Sequence, residues 1–175
     1  MTVPAFLAWE ERQELRYEFD GFDPVAMTGG TAAYDRITFN LRKALEAGLA
    51  GKPFQPSGPS LKIVADGHVR YPDVVVVRGP VPPTATVRDY PVVVFEVLSD
   101  STGSVDLFDK NREYRATLSI LRYVVLQQTR AAAVAFARRG DDWLTEIVAG
   151  DDAVLRLPEI GIEVPLAACY ANLDL

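Results

Sequence analysis

Pro91-Val92-Val93-Val94-Phe95-Glu96-Val97-Leu98 decides how this chain is read. Seven of its eight positions are apolar, the pattern of a strand buried on both faces. Glu96 interrupts it. An ionised carboxylate in such a strand is costly unless a cation, hydrogen bonds or a shifted pKa compensates it. A second run, Tyr71-Pro72-Asp73-Val74-Val75-Val76-Val77, carries another acid at its mouth. Joined by the loop 78–91, the two runs are expected to form an antiparallel hairpin. A register that pairs Val77 with Val92 also pairs Asp73 with Glu96, on one face and with Cβ atoms about 4.5–5.5 Å apart. Carboxylates that close repel unless they are protonated or bridged by a cation. Their hard oxygens suit Mg²⁺ or Mn²⁺, which one or two carboxylates, waters and a substrate phosphate typically hold.

Downstream of Glu96 come Asp106, Lys110 and Tyr114 at four-residue spacing, one stripe of a helix expected over residues 104–118. From that stripe Lys110 could reach the strand mouth and stabilise an attacking hydroxide or phosphoryl charge. Tyr114 could orient a water or the lysine. Glu18 is a candidate third acid. Each residue also has a plainer reading: Glu96 as half of a structural ion pair, Asp106–Lys110 as a solvated helix pair, Tyr114 as core.

Outward from this centre, residues 7–16 read as a short helix and Tyr17–Met27 as a hairpin turning at Asp20-Gly21. Thr31 is placed to cap a helix through about Leu49, with Ile37, Leu41, Ala44 and Leu45 on its apolar face. Strands are expected near Phe54, at Leu61–Val64 and at Val69–Val77. Further strands follow at Arg122–Gln127, Ala132–Arg138 and Trp143–Val148, with Arg139-Gly140-Asp141 as a turn. The tail is apolar with a turn at Pro158–Gly161 and a short helix near Leu166–Tyr170. This order describes one domain over residues 1–175 of mixed α/β (α+β) class.

Composition narrows the function. At 49% hydrophobic and 24% charged, the chain is that of a soluble globular protein, and no apolar run approaches the roughly 20 residues that span a bilayer. Residues 1–10 lack the basic start and long apolar stretch of a secretory signal, so a cytoplasmic location is expected. Cys169 and His68 stand alone of their kinds, which excludes an internal disulfide and disfavours zinc sites and a Ser-His-Asp triad. Gly29-Gly30-Thr31 lacks the spacing and lysine of a phosphate-binding loop. The net charge of −6 opposes a nucleic-acid partner, yet residues 36–139 carry fifteen basic and nine acidic side chains. The acidity sits at the ends, and the middle that holds the candidate acids is mildly basic.

Tyr71-Pro72-Asp73, Glu96-Val97-Leu98-Ser99 and Asp106-x-x-x-Lys110-x-x-x-Tyr114, in that order, resemble the Uma-type restriction endonuclease family of the PD-(D/E)xK superfamily. Asp20-Gly21, Gly29-Gly30-Thr31 with Asn40-Leu41, and Leu157-Pro158-x-x-Gly161 extend the likeness over about residues 8–172. The resemblance implies a restriction-endonuclease-like core, a mixed central sheet flanked by helices. It implies that Asp73 and Glu96 bind the metal, with Glu18 contributing from the N-terminal part. The signature lysine would stand at position 98, which is Leu98 here, and Lys110 is the migrated substitute. Tyr34 stands where related sequences often have histidine, and Leu61 where they often have an acid.

The function expected is therefore Mg²⁺- or Mn²⁺-dependent endonucleolytic hydrolysis of DNA, with Asp73, Glu96, Lys110 and Tyr114 as its catalytic set. The competing expectation is an inactive nuclease-fold module that binds nucleic acid or a protein partner. A homodimer would suit double-strand cutting.

Overall fold

The computed structural model describes residues 1–27, 29–98, 104–150 and 152–175, apart from the side chains of 104–107. Ser99 and Asp106 of the sequence motifs fall outside these described residues or side chains.

The run that opened the sequence reading is β8, Pro91–Leu98, buried from Pro91 through Val97. It lies inside a six-stranded mixed sheet of order β11-β10-β9-β8-β6-β3. Here β3 is Phe54–Ser57, β6 Val74–Arg78, β9 Arg122–Gln127, β10 Ala132–Arg139 and β11 Asp142–Ala149. β8 pairs antiparallel with β6 and parallel with β9. The helix α3, Ser104–Ala116, makes the crossover that a parallel pair requires. α3 stops two residues before the expected end. There Nη2 of Arg138 on β10 donates to the carbonyl of Arg115 at 2.7 Å, satisfying a terminal carbonyl of the helix.

Both faces of this sheet are covered. On one, helix α2 (Ala32–Gly48) lays Ile37, Leu41 and Leu45 against Val74, Val76, Val93, Phe95, Val97, Val124 and Leu126. Thr31 caps α2 as expected, its Oγ1 accepting the Tyr34 N–H at 3.1 Å. The hairpin of β12 (Val154–Leu157) and β13 (Ile162–Pro165) and the short α4 (Leu166–Cys169) close that side. On the other face Val75, Val77, Val94, Tyr123 and Val125 meet Tyr114 of α3 and Ile63. The alternation of Val74–Val77 between two cores explains why the run is apolar at every position. The fold is thus a mixed α+β domain with sheets flanked by helices.

The strand expected at Val69–Val77 is two strands. β5, His68–Arg70, ends where the Tyr71 N–H turns to a side chain and Pro72 has no N–H to offer a ladder. It joins a second, five-stranded sheet of order β2-β1-β5-β4-β7, with β1 Tyr17–Phe19, β2 Pro24–Ala26, β4 Lys62–Ala65 and β7 Val87–Arg88. The pair in β7 lies within the stretch read as loop. The first helix, expected at 7–16, is α1 at Val3–Glu10. Thr2 Oγ1 accepts the Ala5 N–H at 3.4 Å, and Pro4 sits in the first turn, where its missing N–H costs nothing. Among the described residues no helix is long and apolar enough to cross a membrane.

Candidate active site

The β6–β8 register brings the acids together. Val74 pairs with Phe95, Val75 with Val94 and Val76 with Val93, so the register continued by one residue sets Asp73 opposite Glu96. The expected pairing of Val77 with Val92 does not form. Val77 pairs with Pro91, leaving Val92 as the extra residue of a bulge next to Tyr90 at φ 52°. That shift lies at the far end of the hairpin and leaves the acid end in register.

Asp73 sits just beyond β6, with both oxygens engaged. Tyr34 donates its hydroxyl to Oδ1, and the Val97 N–H donates to Oδ2 at 2.6 Å. Burial raises the Asp73 pKa, partly opposed by those two hydrogen bonds and by Lys110. Glu96 is 8% exposed. Burial, with the Asp73 and Glu18 charges behind it, pushes its carboxyl up to about 8 against the opposing pull of Lys110 and Tyr114. Lys110 Nζ lies 3.4 Å from Glu96 Oε1, and the Tyr114 hydroxyl donates to the same oxygen at 3.0 Å. α3 therefore delivers Lys110 and Tyr114 to one carboxylate, as their four-residue spacing allows. Tyr114 is fully buried, edge-on to Tyr123 with ring centroids 5.0 Å apart, and its pKa is raised by burial and by Glu96.

Glu18 is brought to the same cluster from β1, with Oε1 3.5 Å from Lys110 Nζ. Its carboxylate also accepts from Arg70 Nη1 at 3.1 Å and the Tyr71 N–H at 3.0 Å. The Tyr71 side chain is anchored in turn. Its hydroxyl donates to Glu10 Oε1 at 2.7 Å, while Lys62 holds Glu10 Oε2 at 2.5 Å. Sequence reasoning missed Arg70 and its partner Glu113, and noted Tyr34 only as a departure. The available signals were Arg70 standing directly before Tyr71-Pro72-Asp73, and Tyr34 standing three residues after the helix cap Thr31.

Among the described residues no group of three or more His, Cys, Asp or Glu side chains gathers as a metal cage. What gathers is a carboxylate pair. Both acids are pushed toward protonation by burial, and Glu96 further by the charge of Asp73. That is the environment a divalent cation would relieve, and two hard carboxylates are the protein share of a typical Mg²⁺ site. The donor set fits Mg²⁺ or Mn²⁺.

Residues 3–167 match the family model Uma2, described as "Putative restriction endonuclease". The chain belongs to the Uma2 family. It is 30% identical over 177 residues to the uncharacterized protein slr1290 of Synechocystis sp. PCC 6803, covering 99% of this chain and 93% of that one. It is 27% identical over 164 residues to the uncharacterized protein sll1609 of the same organism, covering 87% and 90%. The crystal structure of a putative nuclease belonging to DUF820 from Anabaena variabilis superposes with a TM-score of 0.78 over 98% of both chains at 14% identity. This Uma2 chain and that protein share one fold, the expected mixed architecture of sheets flanked by helices.

Proposed function

We propose that this protein is a divalent-metal-dependent endonuclease that hydrolyses phosphodiester bonds in DNA. The observation that carries it is the meeting of Asp73, Glu96 and Lys110 at the end of β8, in a chain of the Uma2 family. Asp73 and Glu96 would hold Mg²⁺ or Mn²⁺, which when bound would activate water and neutralise leaving-group charge. Lys110 would set a fixed cation beside the scissile phosphate, stabilising charge that develops there. It reaches the acid from α3, so Leu98 at the usual lysine position leaves the chemistry intact. Tyr114 orients the Glu96 carboxylate from within the core, and Tyr34 with the Val97 N–H orients Asp73. The basic middle of the sequence is the part that would face the phosphates. A two-fold dimer would bring two such centres to the two strands of a duplex.

Supercoiled plasmid incubated with wild type and Glu96→Gln, in Mn²⁺, Mg²⁺ and chelator, tests this reading. Nicking by wild type that requires metal and disappears in a folded Glu96→Gln variant is the expected result. Two folded proteins that bind Mn²⁺ alike and cut nothing would sink it. DNA binding that persists in chelator would then favour the non-catalytic module.

A further inference from the structure

Glu18 occupies the middle of β1, and donors close on its carboxylate from β5, from the Tyr71 backbone and from α3. Oε2 accepts from Arg70 Nη1 at 3.1 Å; Oε1 accepts the Tyr71 N–H at 3.0 Å and lies 3.5 Å from Lys110 Nζ. Arg70 is 5% exposed, and its Nε and Nη2 hold the two oxygens of Glu113 at 2.8 and 2.7 Å. Glu113 follows Lys110 by three residues on α3, close to one helical turn. One planar guanidinium thus ties β5 to α3 and to β1 in a fixed geometry. Acidic and basic side chains alternate along the row: Glu113, Arg70, Glu18, Lys110, Glu96.

A lysine is a point charge on a flexible four-carbon stem, so the 3.4 Å contact with Glu96 does not by itself fix where its ammonium sits. The second anion suspends it between two carboxylates. β1 and β5 pair through Phe19 and Val69, the neighbours of Glu18 and Arg70, so the smaller sheet sets where this second anion stands. A carboxylate held between a guanidinium and an ammonium already has its charge compensated and is a poor choice for a metal ligand.

We infer that Glu18 and Arg70 are positioning residues: Arg70 fixes the Glu18 carboxylate, and Glu18 holds the Lys110 ammonium at Glu96. The inference rests on the nuclease reading above, and within it moves Glu18 from the metal to the lysine.

The test uses the full chain as wild type, Glu18→Gln, Arg70→Lys, Arg70→Gln and the double variant Glu18→Gln/Arg70→Gln. Mn²⁺ affinity is measured by calorimetry, and the Lys110 amine by pulsed acylation read by mass spectrometry; neither readout needs cleavage. Glu18→Gln should bind Mn²⁺ as wild type does and acylate severalfold faster at Lys110. On DNA its kcat should fall about 10- to 100-fold, the range for supporting-residue losses, with KM unchanged. Arg70→Lys should recover part of what Arg70→Gln loses. The double variant should be no slower than Glu18→Gln, because both changes act through Lys110. A folded Glu18→Gln that no longer binds Mn²⁺ at all, a loss beyond the roughly 10- to 100-fold of supporting residues, would make Glu18 a ligand after all. Unchanged Lys110 acylation would overturn the proposal equally. Should Arg70→Gln not fold, the isosteric Glu18→Gln decides alone. A wild type that cuts no DNA refutes the nuclease reading, while acylation and Mn²⁺ binding still decide the positioning roles.

Discussion

The backbone N–H of Val97 donates to Oδ2 of Asp73 at 2.6 Å, so the residue after Glu96 holds the carboxylate opposite it. Asp73 thereby replaces a ladder hydrogen bond where β6 has not yet begun. Asp73→Ala would strand the Val97 N–H and the Tyr34 hydroxyl together. Leaving such groups unsatisfied costs about 1–3 kcal/mol, so the midpoint of urea unfolding should fall. Asp73→Asn keeps one oxygen acceptor and should lose less stability while losing the same Mn²⁺ binding. Equal stability of Asp73→Ala and wild type would show that the two donors find other partners.

Glu96 makes metal-free stability depend on pH in a defined direction. Its folded pKa of about 8 lies above the ordinary carboxyl value of 4.5, chiefly through burial. Between those values the folded state keeps a proton that the unfolded chain releases. Stability is therefore full below about 4.5 and declines as pH rises toward about 8. Glu96→Gln removes the titration and should flatten that slope, with the variant more stable than wild type at high pH in chelator. Denaturant melts at several pH values check this. A wild-type slope matched by Glu96→Gln would place the buried proton elsewhere.

How much of this was written in the sequence follows from which residues obey spacing rules. β8 and β9 were legible because a run apolar at nearly every position has few alternatives to a central strand. α2 was legible from the Thr31 cap and its apolar stripe. Most strands of the smaller sheet overlap the hairpin expected over Tyr17–Met27 and the strands expected at Leu61–Val64 and Val69–Val77. The two-residue β7 and the gathering of these strands into a separate sheet were not legible, because strands of two to four residues carrying Lys62, His68, Arg70 and Arg88 show no long alternation. The break at Tyr71–Asp73 was hidden as well, since only Pro72 interrupts the pattern. In the site, the two acids and Lys110 were recoverable from their order along the chain. Arg70 and Glu113 were not: they meet across 43 residues, and no periodicity links an arginine on one sheet to a glutamate on a helix.

Arg122 supplies a control for global stability. It is 1% exposed at the start of β9, held by Glu159 at 3.0 Å and Glu146 at 2.8 Å. Removing one partner of a buried ion pair costs about 3–5 kcal/mol, and the partial exposure of Glu146 favours the lower end. Arg122→Ala should thus lower the melting temperature markedly. Below its melting point it should bind Mn²⁺ with wild-type affinity, because neither glutamate touches Asp73 or Glu96. Lost Mn²⁺ affinity in the folded variant would reveal coupling between the two ends of the sheet.

Tyr34 is the side chain through which α2 reaches the acids. Its hydroxyl donates to Asp73, a bond that favours the ionised carboxylate and opposes the effect of burial on it. Burial and the Asp73 charge raise the pKa of Tyr34 itself, so the phenol stays a donor at any working pH. Tyr34→Phe removes the donor with almost no change of shape. The Asp73 pKa should then rise, and more protons must leave when a cation binds. Mn²⁺ affinity at neutral pH should fall about tenfold, the lower figure for loss of a supporting hydrogen bond, and should recover as pH is raised. Gly30→Ala offers a second route, because a Cβ there would collide with the Tyr34 ring and move its hydroxyl off Asp73. Calorimetric titrations with Mn²⁺ across pH compare the two variants. If both match wild type at every pH, the hydroxyl is a packing partner of Asp73 and does not tune it.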